Sequence, residues 1–160
     1  MKHLFSTVVT VLTAAFLLIS CTGKPLTESS ENAEIAKVID SAIGWFRTKD
    51  FAVMYNTFAQ DEDYLEVHPD GTVVRGFAEF KKRSEIFRNP DFVYLRHEIK
   101  DLKITLSRRG DTAWFFCILN DISTWKGEKT GWLNTRWTGV LEKRDGRWVI
   151  VQQHFSFAAE

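Results

Sequence analysis

The chain has 160 residues and sets 21 Lys and Arg against 21 Asp and Glu, a formal net charge of zero. That balance leaves no basic footprint for a phosphate backbone, so nucleic acid is excluded as the expected partner. Two cysteines, Cys21 and Cys117, cannot supply a disulfide framework or a cysteine-built metal site once the first is used as described next.

The N-terminus reads as an address. Lys2 and His3 precede an apolar run from about Val8 to Ile19, interrupted only by Thr10 and Thr13. A charged start and an apolar run of this length fit an export signal and are short for a membrane span, which needs about 20 apolar residues. The run closes on Leu18-Ile19-Ser20-Cys21, which resembles the bacterial lipobox, where a small residue precedes a cysteine that receives lipid. The resemblance implies a signal over residues 1–20 and lipid on Cys21; the polar stretch that follows, with Pro25 and no apolar periodicity, reads as a tether over 21–32 ahead of a domain over 33–158. An uncleaved anchor, or ordinary cleavage leaving Cys21 free, is the alternative. The expected location is the bacterial cell envelope. Thr22, where an Asp would retain a lipoprotein, implies the outer membrane facing the periplasm in a diderm cell.

Helical spacing follows. Ile35, Val38, Ile39, Ala42, Ile43 and Phe46 form one apolar stripe and predict a helix from about Asn32 to Thr48. Asp50 is placed to cap a shorter helix through Phe58. Two short strands, Tyr64–His68 and Thr72–Arg75, flank the turn Pro69-Asp70-Gly71. Phe77, Phe80, Ser84 and Phe87 fit a third helix that stops before Asn89-Pro90. Four long strands are then expected, Val93–Leu106, Thr112–Thr124, Trp132–Lys143 and Arg147–Phe157, with a longer loop over Lys126–Gly131. Helices first and an antiparallel meander afterwards define an α+β fold.

Alternation assigns the faces. In the second long strand Ala113, Phe115, Cys117 and Leu119 share one side, and Trp114, Phe116 and Ile118 share the other. A sheet with one wet face should be polar on that side, so the second side needs a cover. Trp137, Leu141, Val149, Val151 and Phe155 are expected to extend it, and a homodimer through this outer face is the expected arrangement. The C-terminal tail or the tether could cover it instead. Cys117, inside an apolar run, is expected as a small buried hydrophobe.

The closing segment from Arg136-Trp137-Thr138-Gly139 through Asp145-Gly146-Arg147-Trp148 to Gln152-Gln153-His154-Phe155-Ser156 resembles the C-terminal hairpin of SnoaL-like domains. These belong to the nuclear transport factor 2-like superfamily, and the likeness is particularly to the branch containing the calcium/calmodulin-dependent kinase II association domain. Pro69-Asp70-Gly71 followed by Val74-x-Gly76 is a weaker match. The resemblance spans about Ala33 to Phe157. It implies a cone-shaped fold, with three N-terminal helices packed on a curved, mainly antiparallel sheet and a cavity between the first helix and the concave face. Members include isomerases, dehydratases, cyclases and pocket proteins without known chemistry, so the fold does not choose among them.

The resemblance also places Arg136 and His154 toward the cone interior. Arg136 would hold a carboxylate or enolate by two donors, and His154 would donate a hydrogen bond or move a proton. Period two puts Trp148, Gln152 and His154 on one face, and Asp121 with Cys117 and Leu119, from where it could reach the cavity. Trp45, Tyr55 and Trp148 are candidate walls. The competing reading pairs Arg136 with Asp121 as a structural ion pair. His68 is expected as a solvated loop residue and His97 in surface pairing. No metal or cofactor is expected: no close histidine spacing, glycine-rich phosphate loop or Gly-x-Ser-x-Gly elbow occurs. The first functional reading is a membrane-anchored pocket protein for a small polar or anionic molecule, such as a carboxylate. The alternative is a cofactor-independent isomerase, dehydratase or cyclase acting on a small carbonyl compound, with catalytic candidates His154 and Asp121.

Overall fold

A computed structural model describes residues 28–159. The expected signal, Cys21 and most of the expected tether lie outside that range. Helix α1 spans Glu28–Gly44 and continues as a 3-10 turn over Trp45–Arg47. It therefore begins inside the stretch read as tether. The cause is a local anchor: both carboxylate oxygens of Glu31 are used, one by Lys143 Nζ at 2.6 Å and one by Trp148 Nε1 at 2.6 Å. Ile35, Ile39 and Ala42 are buried along the predicted stripe. Burying each large side chain contributes roughly 1.5–3 kcal/mol, far more than the differences in helix propensity along α1, so packing decides where it forms.

Helix α2 is Phe51–Thr57, and Asp50 caps it by accepting from the backbone N–H groups of Ala52 and Val53, both at 3.0 Å. Strands β1 (Leu65–Val67) and β2 (Val73–Arg75) form a small hairpin. Helix α3 covers Phe77–Ser84, and its last expected turn tightens into a 3-10 segment, Glu85–Arg88. The long strands are β3 (Phe92–Leu106), β4 (Thr112–Trp125), β5 (Glu128–Arg144) and β6 (Arg147–Ser156). All six strands make one curved sheet in the order β2-β1-β6-β5-β4-β3, antiparallel except where β1 runs parallel to β6.

The loop expected over Lys126–Gly131 is shorter than predicted. Trp125 pairs directly with Glu128, leaving the two-residue turn Lys126-Gly127. Lys126 (φ 53°) and Gly127 (φ 85°) both sit at positive φ, the requirement of a type I′ hairpin turn.

The concave face packs Phe115, Cys117, Leu119, Trp137, Leu141, Ile150 and Phe155 against Ile35, Ile39, Trp45, Phe46, Met54 and Phe58 of the helical layer. Trp137, Leu141 and Phe155 thus belong to the core, with 0, 0 and 3% exposure. The expected extension of the outer apolar face through them is corrected: Trp137 pairs with inward-facing Cys117 and stacks on Phe155. The outer face keeps Trp114 and Phe116, exposed by 50 and 38%. Cys117 is fully buried, and desolvation pushes its thiol up to about 12, which makes it inert at neutral pH.

Candidate functional site

A cavity of about 260 Å³ opens between the C-terminal end of α1, helices α2 and α3, and the concave sheet face. Its walls are mostly aromatic: Trp45, Phe46, Phe58, Phe80, Phe87, Phe92, Trp132 and Phe155. Thr130 and Gly131 lie on its exposed rim. The polar groups reaching it are Asp121, Glu66, His68, Ser123 and Gln153. Neither Lys nor Arg is among the described residues that line it.

Asp121 comes from β4, opposite Trp132 of β5 and His97 of β3. The residue is half-buried, yet its Oδ1 is enclosed and has no hydrogen-bond partner among the described residues. Burial raises its carboxyl to about 6, and the field of His97 offsets part of that rise. A carboxylate oxygen enclosed without a hydrogen-bond partner is a costly arrangement, and proteins rarely keep one without use.

Glu66 is held in the opposite condition. Its Oε2 accepts from the Tyr64 hydroxyl at 2.7 Å and from Gln153 Nε2 at 3.1 Å, and its Oε1 meets His68 Nε2. Gln153 is fixed in turn by Trp137 Nε1, which donates to its Oε1 at 3.2 Å. Burial, with Glu66 beside it, pushes the Tyr64 phenol well above its usual range. The network locks His68 edge-on to Trp132 at the cavity wall, with 23% of its side chain exposed. The expectation of His68 as a solvated loop residue is overturned. Parallel pairing of β1 with β6, Val67 opposite His154, carries it there.

Of the predicted site residues, Asp121 and Trp45 line the cavity. Arg136 and His154 do not, and their expected inward direction is corrected. Arg136 lies between fully buried Thr135 and Trp137, so alternation turns it outward; it is exposed and its Nη2 donates to the Phe157 carbonyl at 2.6 Å. No Arg136–Asp121 pair forms. In β6 the register slips between the pairs Leu141–Ile150 and Val140–Gln152, leaving Val151 as an extra residue. This bulge breaks period two. Trp148 and Ile150 point inward before it, whereas Gln152 and His154 point outward after it and Gln153 and Phe155 take the inner positions. Trp148 turns to Glu31, away from the cavity. Tyr55 packs on Phe51 and Phe77 and shares its hydroxyl with Ser84 Oγ at 3.4 Å, outside the cavity wall. The His97 side chain is buried on the inner face, with 5% of it exposed. Surface pairing does not describe it.

Tyr64, Glu66 and His68 recur at period two, the signal from which an inward polar set could have been read. Among the described residues no group of three or more His, Cys, Asp or Glu is placed to hold a metal ion.

The sequence profile of the SnoaL-like domain matches residues 35–160. The chain belongs to the SnoaL-like family. No curated protein sequence matches this SnoaL-like chain. Solved structures share its fold. A candidate dehydratase of the NTF2-like family from Streptomyces avermitilis superposes with a TM-score of 0.69 at 19% identity, covering 84% of this chain and 100% of that one. A calcium/calmodulin-dependent kinase II association-type domain from Exiguobacterium sibiricum gives 0.67 at 9% identity, covering 84 and 98%. An NTF2-like protein from Cytophaga hutchinsonii gives 0.65 at 12%, covering 79 and 98%. At these identities the likeness is one of fold, and the SnoaL-like site must be read from its own residues.

Proposed function

We propose that the cavity is the site of a cofactor-independent proton transfer, an isomerisation or dehydration, on a small and largely apolar carbonyl compound, with Asp121 as the base. The bare, buried Oδ1 of Asp121 carries this reading. A carboxyl raised to about 6 is ionised at neutral pH and is a stronger base than an ordinary aspartate. His68 is the partner acid. Because Glu66 occupies Nε2, its Nδ1 is left to donate to a developing oxyanion or leaving hydroxyl when the ring is protonated. The dehydratase description of the Streptomyces relative is of the same reaction class.

An anionic ligand loses its support. Arg136 is outside, and Asp121 and Glu66 give the cavity an acidic lining with no cation of Lys or Arg type. The test uses the full-length chain in D2O with a panel of ketones and aldehydes, read by proton NMR for α-hydrogen exchange and by melting temperature for binding. Exchange above the buffer rate supports the reading. Ligands that raise the melting temperature without exchange would reject catalysis, and failure of both would reject the site.

We also propose that the domain sits on a membrane through lipid on Cys21 and pairs as a homodimer through Trp114 and Phe116. The lipobox resemblance supports the first, and exposed aromatic area on a sheet face supports the second. The chain is expected in the membrane fraction and Cys21→Ser in the soluble fraction; equal partition would sink the anchor. In sedimentation the wild type is expected at twice the chain mass and Trp114→Arg/Phe116→Asp at the chain mass. A monomeric wild type would remove the dimer.

A further inference from the structure

His97 lies directly across the β3–β4 ladder from Asp121, on the same inner face, yet it offers Asp121 no hydrogen bond. Both of its nitrogens are engaged elsewhere. Nε2 meets Asp40 Oδ1 on α1 at 3.0 Å, and Nδ1 meets the Tyr94 hydroxyl at 3.0 Å. The same hydroxyl oxygen accepts the His97 backbone N–H at 3.1 Å and keeps a second lone pair, so it can also accept Nδ1–H while Nε2–H meets Asp40, and both nitrogens of a charged ring have acceptors. Helix α1 makes room for the ring: a Cβ added at Gly44 would lie 3.2 Å from His97 Cε1. Asp40, by contrast, has 63% of its side chain exposed. A buried imidazole is therefore held by a wet carboxylate and faces, across the ladder, the carboxyl whose Oδ1 has no partner.

We propose that His97 is a positioning residue whose charge sets how readily Asp121 gives up and takes its proton, which deepens the proton-transfer reading and rests on it for its catalytic meaning. The charged and titratable groups around the pair are few. Asp40 faces His97 from α1, Tyr94 faces it along β3, and Arg47 lies over the Tyr94 ring. Glu66 and His68 reach the cavity from the β1 side, and β5 contributes only Thr130, Gly131 and Trp132. Glu66 adds negative charge, which cannot favour the ionised form of Asp121. His68 is neutralised locally by Glu66. His97 is then the group placed to favour the ionised form of Asp121, and Asp40 accepts from the ring's Nε2–H and supports its charge.

The test is a 13C titration of the Asp121 carboxyl in the full-length chain, wild type against His97→Gln. The midpoint is expected to rise by about 0.5–1 pH unit when the imidazole is removed, the size of a single charge at cross-strand distance in a partly screened site. An unchanged midpoint would overturn the proposal. If His97→Gln fails to fold, the wild type alone decides: the Asp121 signal must inflect where the His97 ring titrates, and independent curves would refute the coupling. Where α-exchange is measurable, its acid limb must move up with the carboxyl midpoint in His97→Gln, whereas a merely structural role would lower the rate without moving the limb. Absence of exchange in every protein would count against the reaction, while the NMR titration would still judge His97.

Discussion

Asp121→Asn is expected to lower α-proton exchange by about 10²–10⁴-fold while raising stability at neutral pH, because the buried charge proposed as the base also strains the fold. Asn keeps the shape and removes the proton acceptor. For stability, the carboxyl has an ordinary value of 3.8 and is raised to about 6 in the folded chain. A group raised on folding stabilises fully below its unfolded value and loses that contribution as pH climbs through the folded one. Between about pH 4 and pH 6 the wild type should therefore weaken relative to the Asp121→Asn variant. A shift of about two units corresponds to roughly 3 kcal/mol, less about 1 kcal/mol for the unpartnered amide that Asn brings, so a net gain of about 1–3 kcal/mol is expected at pH 7.5 and none at pH 4. Melting temperatures should separate by about 5–10 °C at the higher pH. A variant less stable than wild type at both pH values would mean that the carboxylate has a partner and is not a strained base.

This trade explains why the cavity could be read only in part from sequence. Regular alternation from Ala113 to Leu119 ran on to Asp121 because the β3–β4 ladder is continuous there, His97 opposite Asp121 and Ile99 opposite Leu119. The helical stripe and the Asp50 cap were legible for the same reason: each is a local pattern with one physical solution. What failed was phase and distance. The single extra residue at Val151 exchanged Gln152 and His154 for Gln153 and Phe155, and nothing in Val-Ile-Val-Gln-Gln-His announces a bulge. Likewise Glu66 and His68 enter through a three-residue strand pairing parallel with β6, a contact some ninety residues away in sequence that no turn signal records. Arg136 was misdirected by analogy. A guanidinium on the inner face would have had to displace Trp137, whose burial contributes several kcal/mol, and would have brought an unpaired charge into the core.

Gly131→Ala should produce the largest structural penalty per atom added. A Cβ at Gly131 would lie 2.0 Å from the Asp121 carbonyl oxygen and 3.0 Å from Ile122 Cα, all backbone atoms that no rotamer change can move. Its φ of +125° lies in a region closed to alanine in any case. Gly71 is the control: its φ is also positive at +86°, but an added Cβ meets nothing within 4 Å. Gly71→Ala should then report the backbone cost alone, about 1 kcal/mol, whereas Gly131→Ala should cost about 3 kcal/mol or more in denaturant unfolding. The difference has a functional consequence. Gly131 allows β5 to approach β4 closely at Ile122, one residue from Asp121 and one from Trp132. Forcing the strands apart there would move the proposed base relative to the indole that walls its cavity, and a displacement of about 1 Å at a reacting group can cost 10²-fold in rate. Gly131→Ala should therefore lose exchange activity even under conditions where it remains folded, with Gly71→Ala retaining it. Equal stability and equal activity in the two variants would mean that the close β4–β5 approach does not hold Asp121 in place.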